Sequence, residues 1–451
     1  MPDESPHVLY VAWGFPPCRA GGVYRALATA NAFARAGYRV TVLTAEREAF
    51  ERYTGTDPSM ESRVDERIEV VRIPFEWPGM ESDLRRWSAT RVFTPKVWRK
   101  MRARADHKDF PEAAYGPWWG PLREAAVAIH QRDKVDLVVA TANPNVDFAA
   151  AQVLNESFGV PYVMDYRDAW MLDVFDGSLL HEEGGRVEHL ERSLLEKSSE
   201  VWFVNEPIRA WHADRHPDLA QRMHVVANGY DPEFAPHPQL EAPPADKPLT
   251  FGYIGTVSPK VPLAEFAQGW RLAHERSPEL ANASAVLRGY LGFYSTPSPV
   301  LVNLVDKYSD VGLNYNGPVP KAEVSEVYDS LDVCLLILGA GKYVTSGKVF
   351  EYTATALPIV SIHDPGNAAS DVLREYPLWF PIQDLEPETI AAALEAAAHA
   401  ARTASPEVRE ACRSYSLTYA RDIQLDPRVT ALREVATLAT PATAPNEGSL
   451  R

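Results

Sequence analysis

The sequence predicts an α/β protein of two doubly wound domains facing each other across a cleft. Three observations carry that expectation. An apolar strand, a glycine-containing loop and an amphipathic helix follow one another near the amino terminus, and the same succession restarts at residue 249. Between the two trains, Pro232 to Pro248 holds six prolines and no periodicity, the composition of a linker. The 451 residues exceed what one core serves and suit two domains of about 200 residues each. The expected limits are 1–232 for the first domain, with an insertion at about 75–125, then 233–248 for the linker and 249–416 for the second domain. A helix over 417–437 is expected to return to the first domain, and 438–451 reads as a disordered tail.

In the first half, Val8–Ala12 reads as a strand, followed by a loop with Gly14, Pro16, Pro17, Gly21 and Gly22 and a helix from Tyr24 to Ala36 ended by Gly37. Arg39–Leu43 supplies the next strand. Gly21-Gly22 directly before a helix lets a ligand approach the backbone and suits an anion or a sugar. Residues 50–125 carry little legible pattern apart from one charge reversal. From Arg85 to Lys108 nine basic residues stand against one acid, Asp106, with Trp87, Phe93 and Trp98 interleaved. That stretch reads either as a solvated helical insertion or as a surface for anionic lipid or an anionic acceptor. Strands resume at Val135–Thr141, before Asn143, and at Pro161–Asp165, which runs into Tyr166-Arg-Asp-Ala-Trp170. Strands of such sheets present their carboxyl ends to ligands, which makes Asn143, Asp165, Arg167, Asp168 and Trp170 candidates. A structural Asp–Arg pair fixing the loop is the competing role. Val201–Val204 and the strand opening at Met223 close the half.

In the second half, Leu249–Ile254 is the first strand, and Gly255 to Lys260 is its glycine loop, with Thr256 beside the glycine. Ala285–Arg288, the strand around Val311–Tyr315 and Val333–Leu338 follow, with Asn316-Gly317 preceding a helix expected over Lys321–Leu331. The most informative stretch is Gly341 to Val360. Thr345, Ser346 and Gly347 lead into a helix whose first amides and dipole offer a place for phosphate, and Lys348 adds a full charge there. Glu351 lies one turn on, where a carboxylate beside a phosphate site suits the diol of a ribose. Pro358 stops the helix, and Ile359–Ile362 reads as a buried parallel strand. Beyond it, Ala391–Ala401 is an Ala-rich helix, and Ser414–Val435 is helical.

Phe350-Glu-Tyr-Thr-Ala-Thr-Ala-Leu-Pro-Ile-Val360 resembles the donor-binding signature of the retaining glycosyltransferases of family 4, which have the GT-B fold of two Rossmann-like domains. The pattern Asp165-x-Arg167-Asp168-x-Trp170, the Pro16-Pro17 to Gly21-Gly22 loop and Asn228-Gly229-x-Asp231 resemble further marks of that family. The resemblance implies transfer of a sugar from a nucleotide-diphosphate donor, expected to be a UDP-sugar, to an acceptor hydroxyl with retention of configuration. It implies front-face attack by the acceptor, a donor phosphate oxygen receiving its proton, and no cofactor and no protein-bound metal. Lys260, Lys348 and Asp168 are the expected catalytic residues, the lysines on the diphosphate and Asp168 on the acceptor. Gly21, Gly22, Gly255, Thr256, Arg288, Asn316, Gly317, Thr345, Ser346, Gly347 and Glu351 are expected at the donor, and Asn143, Asp165, Arg167 and Trp170 on the acceptor side. Two departures stand out. The family's first glutamate falls on Tyr343, eight positions before Glu351, and Thr256 replaces an arginine. Tyr343 keeps two other readings open: a pseudo-glycosyltransferase that binds a nucleotide sugar without transferring it, and a nucleotide-sugar 2-epimerase of the same fold.

Composition narrows the partners. Hydrophobic residues make up 46% and charged residues 24%, as in ordinary globular proteins. A net charge of −16 argues against nucleic acid, which needs a basic surface. The three cysteines, Cys18, Cys334 and Cys412, are far apart and form no metal or redox spacing, which fits a reducing, cytoplasmic setting. No apolar run reaches the length of a membrane span, and the acidic Met1–His7 does not read as a signal peptide. The expected location is cytoplasmic, with peripheral membrane contact through 85–108. The acceptor is left open among glycans, lipid-linked sugars and natural products.

Overall fold

A computed structural model describes residues 5–258, 260–292, 297–319, 323–339 and 341–438. The chain divides into two compact units. The first takes the residues to Asp173, then Ser178–Val226 and the chain from Leu425, and the second takes Val174–Gly177 and Ala227–Gln424.

The first unit is built on a seven-stranded parallel sheet. Its strands are β1 (His7–Val11), β2 (Arg39–Ala45), β3 (Ile68–Ile73), β4 (Leu137–Ala142), β5 (Tyr162–Tyr166), β6 (Glu200–Phe203) and β7 (Met223–Val225). They lie in the order β3-β2-β1-β4-β5-β6-β7. Every residue of β1, β4 and β5 is buried, as expected of apolar strands covered on both faces. Val8 of β1 lies between Val40 of β2 and Leu137 of β4. The helix Val23–Arg35 joins β1 to β2 and ends at Gly37, whose φ of +81° allows the Tyr38 amide to donate back to the Phe33 carbonyl. Residues 75–125, the expected insertion, fall in the β3 to β4 connection and hold the helices Ala89–Phe93 and Pro95–Asp106 and the start of Trp119–Arg132.

The second unit has a six-stranded parallel sheet: β8 (Thr250–Ile254), β9 (Ser284–Arg288), β10 (Leu313–Tyr315), β11 (Val333–Ile337), β12 (Ile359–Ile362) and β13 (Trp379–Pro381). Their order is β10-β9-β8-β11-β12-β13. One face of β8 and β11 packs with Trp270 and the Ala391–Ala401 stretch, and the other with Val349, Phe350 and Tyr352. The helix carrying the last three runs Gly347–Ala354.

Several limits differ from those read in the sequence. The units part at Val226/Ala227, so the Asn228-Gly229 turn belongs to the second, where Tyr230 N–H donates to the Tyr419 carbonyl. The stretch 233–248 is held on the second unit rather than hanging between units. Gln239 N–H donates to the Thr355 carbonyl, and Arg402 donates to the Pro243 and Pro244 carbonyls. The expected helix over Ser414–Val435 is two, Pro406–Leu417 and Arg421–Leu438. The later part of the second lies on the first unit, with the Tyr38 hydroxyl donating to the Val429 carbonyl and Arg433 to that of Ala36. The helix expected from Lys321 is described over Val324–Asp329, and Lys321 lies outside the described residues, as do Pro259 and 439–451 of the expected tail.

Candidate functional site

In each sheet the chain reverses its direction of winding between two neighbouring strands, and the loops past the carboxyl ends of those strands form the natural ligand position. In the second unit the strands are β8 and β11. Gly255 follows β8, Arg288 ends β9 and Asn316-Gly317 follow β10, so the parallel register brings them to one edge. Gly255 N–H donates to the Arg288 carbonyl at 2.7 Å, and Gly289 N–H to that of Gly317 at 2.9 Å. Arg288 Nη1 donates to the Asn316 carbonyl, which fixes the guanidinium beside this edge. Gly255 has φ of +141°, and a Cβ there would fall 2.7 Å from Lys348 Nζ. Glycine is therefore what lets the lysine ammonium lie against this turn.

Lys348 Nζ donates to the Tyr253 hydroxyl at 2.7 Å and lies 4.2 Å from that ring's centre. The Tyr253 hydroxyl in turn donates to the Thr256 carbonyl at 2.8 Å. Burial pushes the Lys348 ammonium down to about 8, partly offset by the nearby Glu351. Ser346 is the N-cap but makes no side-chain cap; the Val349 amide donates to the Ser346 carbonyl, and the amides of Gly347 and Lys348 face the loop in front of the helix. Glu351, one turn on, accepts from the Tyr328 hydroxyl at 2.8 Å, and no ion pair joins it to Lys348. The buried phenol holds one carboxylate oxygen in place while the residue stays partly exposed. Thr345 and Thr256 flank the cluster in sequence. Lys260 takes other neighbours: its ammonium lies 4.9 Å from the Phe175 ring, and its backbone passes close to Gly339. Tyr343 packs beside Gly177.

In the first unit the corresponding loops follow β1 and β4. Gly22 is the N-cap of the Val23–Arg35 helix, and a Cβ on it would fall 1.9 Å from Arg167 Nη1, so the guanidinium lies on the glycine backbone. Gly21 has open space where a side chain would be. Asn143 Nδ2 donates to Asp168 at 3.0 Å, which joins the loops after β4 and β5. Gly22, Arg167, Asn143 and Asp168 thus belong to one edge of the sheet.

Asp165 and Trp170 point elsewhere, and the acceptor-side expectation for both gives way to packing. Asp165 is fully buried, accepts from Arg25 Nε and Nη2 and from the Thr141 hydroxyl, and has no surface to offer a ligand. It forms an Asp–Arg pair, but with Arg25 of the Val23–Arg35 helix instead of Arg167. Trp170 is buried and stacked on Phe110 at 5.2 Å.

Sequence reasoning passed over Tyr253, Tyr328 and Glu112. The first two lie inside a strand and a helix among other apolar residues, where nothing in the spacing marks a hydroxyl that will meet a lysine or a carboxylate. Glu112, in the poorly patterned region, accepts from the amides of Asn145 and Val146 at 2.9 and 2.8 Å and so fixes the loop after Asn143. Burial pushes its carboxyl up to about 7. Among the described residues, no group of three or more His, Cys, Asp or Glu is placed to hold a metal ion. No helix among them is long and apolar enough to cross a membrane.

Residues 20–229 match the model of the glycosyl transferase 4-like domain. No curated protein sequence matches the chain. A glycosyltransferase from Rickettsia africae ESF-5 superposes with a TM-score of 0.61 at 11% identity, over 96% of this chain and 99% of that one. Sucrose-phosphate synthase from Thermosynechococcus elongatus gives 0.60 at 14% identity, over 96% and 100%. The HepE protein of Anabaena, solved with UDP and glucose, gives 0.53 at 12% identity, over 95% and 99%. The chain therefore has the GT-B fold of two Rossmann-like domains, and its amino-terminal half is similar in sequence to the glycosyl transferase 4-like domain.

Proposed function

We propose that the protein is a glycosyltransferase that moves a sugar from a nucleotide-diphosphate donor, a UDP-sugar, to an acceptor hydroxyl with retention at the anomeric carbon. The observation that carries this reading is the cluster at the second sheet's switch point, where Lys348 lies on Gly255 and Glu351 is oriented by Tyr328. Lys348 and the amides of Ser346 and Gly347 bind the diphosphate, Glu351 takes the ribose hydroxyls, and Arg288 with Asn316-Gly317 borders the base. The Anabaena neighbour's UDP and the match of residues 20–229 support the choice of donor and of reaction. On the first unit, Asn143 and Asp168 orient the acceptor, and Arg167 with Gly21-Gly22 offers an anion position.

In the reaction the bond from the anomeric carbon to the diphosphate breaks and one to the acceptor oxygen forms on the same face. The acceptor proton passes to a phosphate oxygen of the donor. That scheme asks the protein for stabilisation of the departing diphosphate more than for a base. Lys348 provides the charge without a protein-bound metal, and Lys260 adds to it.

Tyr343 favours one rival, binding without turnover, because a neutral aromatic stands where the family places a carboxylate near the sugar. Incubation with single UDP-sugars and a panel of glycan, lipid-linked and small-molecule acceptors, followed for UDP release and for the product anomer by NMR, decides between them. Acceptor-dependent UDP release with a retained anomer in the presence of EDTA is expected. An inverted anomer overturns the mechanism, and loss of activity in EDTA overturns its metal-free form. Tight UDP-sugar binding with no release assigns the non-catalytic role, and a changed C2 configuration without acceptor assigns the epimerase.

A further inference from the structure

We propose that the helical pair Ala89–Phe93 and Pro95–Asp106 docks the protein on an anionic lipid bilayer. The second helix is two-faced. Trp98, Arg102 and Asp106, at successive turns, face inward, with Arg102 Nε donating to Asp106 at 2.6 Å and the Trp98 ring 4.8 Å from the Arg91 guanidinium. The outer face carries Lys96, Lys100 and Arg104, again at successive turns. All three are exposed, and none has an ion-pair partner among the described residues. Directly beside that basic stripe stand Val97, 53% exposed, and Met101, 57% exposed. Phe93, at the end of the preceding helix, is 82% exposed.

A solvated insertion accounts for the charges but not for a phenylalanine, a valine and a methionine held out in water next to them. A bilayer surface takes both: the apolar side chains enter the headgroup boundary while the lysine and arginine heads stay at the level of the lipid phosphates. Charge complementarity selects the anionic kind. In a chain of net charge −16, this is the stretch in which nine bases meet one acid, so it also orients the molecule toward a negative surface. Nucleic acid would use the bases and leave the aliphatic side chains without a partner. The pocket of about 420 Å³ behind the pair is a poorer anion site, because two of its three arginines already have partners. Arg86 lies 3.8 Å from Glu81, and Arg91 donates to the Pro78 and Gly79 carbonyls. The attraction comes from the outward stripe.

The test is sedimentation of the full chain with vesicles of phosphatidylcholine alone and of phosphatidylcholine with phosphatidylglycerol, at low and high salt. Binding to the anionic vesicles alone, lost as salt is raised, is expected. The triple variant Lys96→Gln, Lys100→Gln, Arg104→Gln lowers the partition coefficient on the order of a hundredfold, at about fivefold per charge. The triple variant Phe93→Ser, Val97→Ser, Met101→Ser lowers it about tenfold or more. All six side chains lie outside the core, so both variants keep the melting temperature of the parent, and Arg192→Gln, elsewhere on the surface, binds as the parent does. No binding, salt-independent binding, or binding untouched by either triple variant overturns the proposal. A dimer in light scattering that the Phe93 variant dissolves gives the face to a second copy of the chain. Oligonucleotide binding that only the basic variant removes gives it to nucleic acid. No activity enters the test, which therefore stands or falls apart from the transferase reading.

Discussion

At the carboxyl edge of the first sheet the carboxylate of Asp165, one residue before the end of β5, is fully buried and held by the guanidinium of Arg25. In the second unit Glu351 is bonded by a single phenol and stays partly exposed. The cations differ in the same sense. Arg25 is consumed inside the unit, whereas Lys348 rests on a glycine turn and donates to a neutral hydroxyl. A charged pair sealed in the core has both charges answered and offers nothing to a ligand. A carboxylate and an ammonium each given a neutral partner keep their charge for a ligand, and the proposal of donor binding by the second unit rests on this difference.

Asp165→Ala leaves Arg25 charged, buried and unpaired, and costs about 3–5 kcal/mol of stability. Glu351→Ala, at a partly exposed site, costs about 1 kcal/mol or less. Chemical denaturation of the two variants measures both, and equal losses would erase the distinction drawn between the two carboxylates.

The next effect concerns charge. Burial depresses Lys348 from its ordinary value to about 8, so its ammonium is complete at lower pH and is lost as pH rises through that value. UDP affinity in the wild type is therefore expected to be level below about pH 7 and to fall about tenfold toward pH 9.5, while Lys348→Ala binds weakly at every pH. A parallel decline in the variant would assign the titration to another group. The smallest effect is that of Tyr253→Phe, which removes one neutral acceptor from Lys348 and shifts UDP affinity by about twofold to tenfold. Calorimetry at fixed pH reads it.

Much of this was legible in the chain. Buried parallel strands such as Val333–Ile337 are continuous apolar runs, Gly21-Gly22 precede a helix, Gly347 opens one, and Gly255 lets a side chain approach the backbone. The strand β3 went unread because it is an edge strand with mixed exposure, and β13 because three residues carry no period. At the site, the spacing of Lys348 and Glu351 was visible, but their partners Tyr253 and Tyr328 are distant in sequence and resemble core aromatics. The same limit misassigned Asp165. A strand-end aspartate beside Arg167 reads as a local site, and only the fold brings Arg25 to it from 140 positions away.

If Lys348 holds the diphosphate of the donor and Glu351 its ribose, calorimetric titration of UDP reads both contacts. Each charged hydrogen bond contributes about 1.5–3 kcal/mol, so Glu351→Ala and Lys348→Ala should each weaken UDP on the order of 10- to 100-fold with the fold intact. Wild-type affinity in both variants would move the nucleotide site elsewhere.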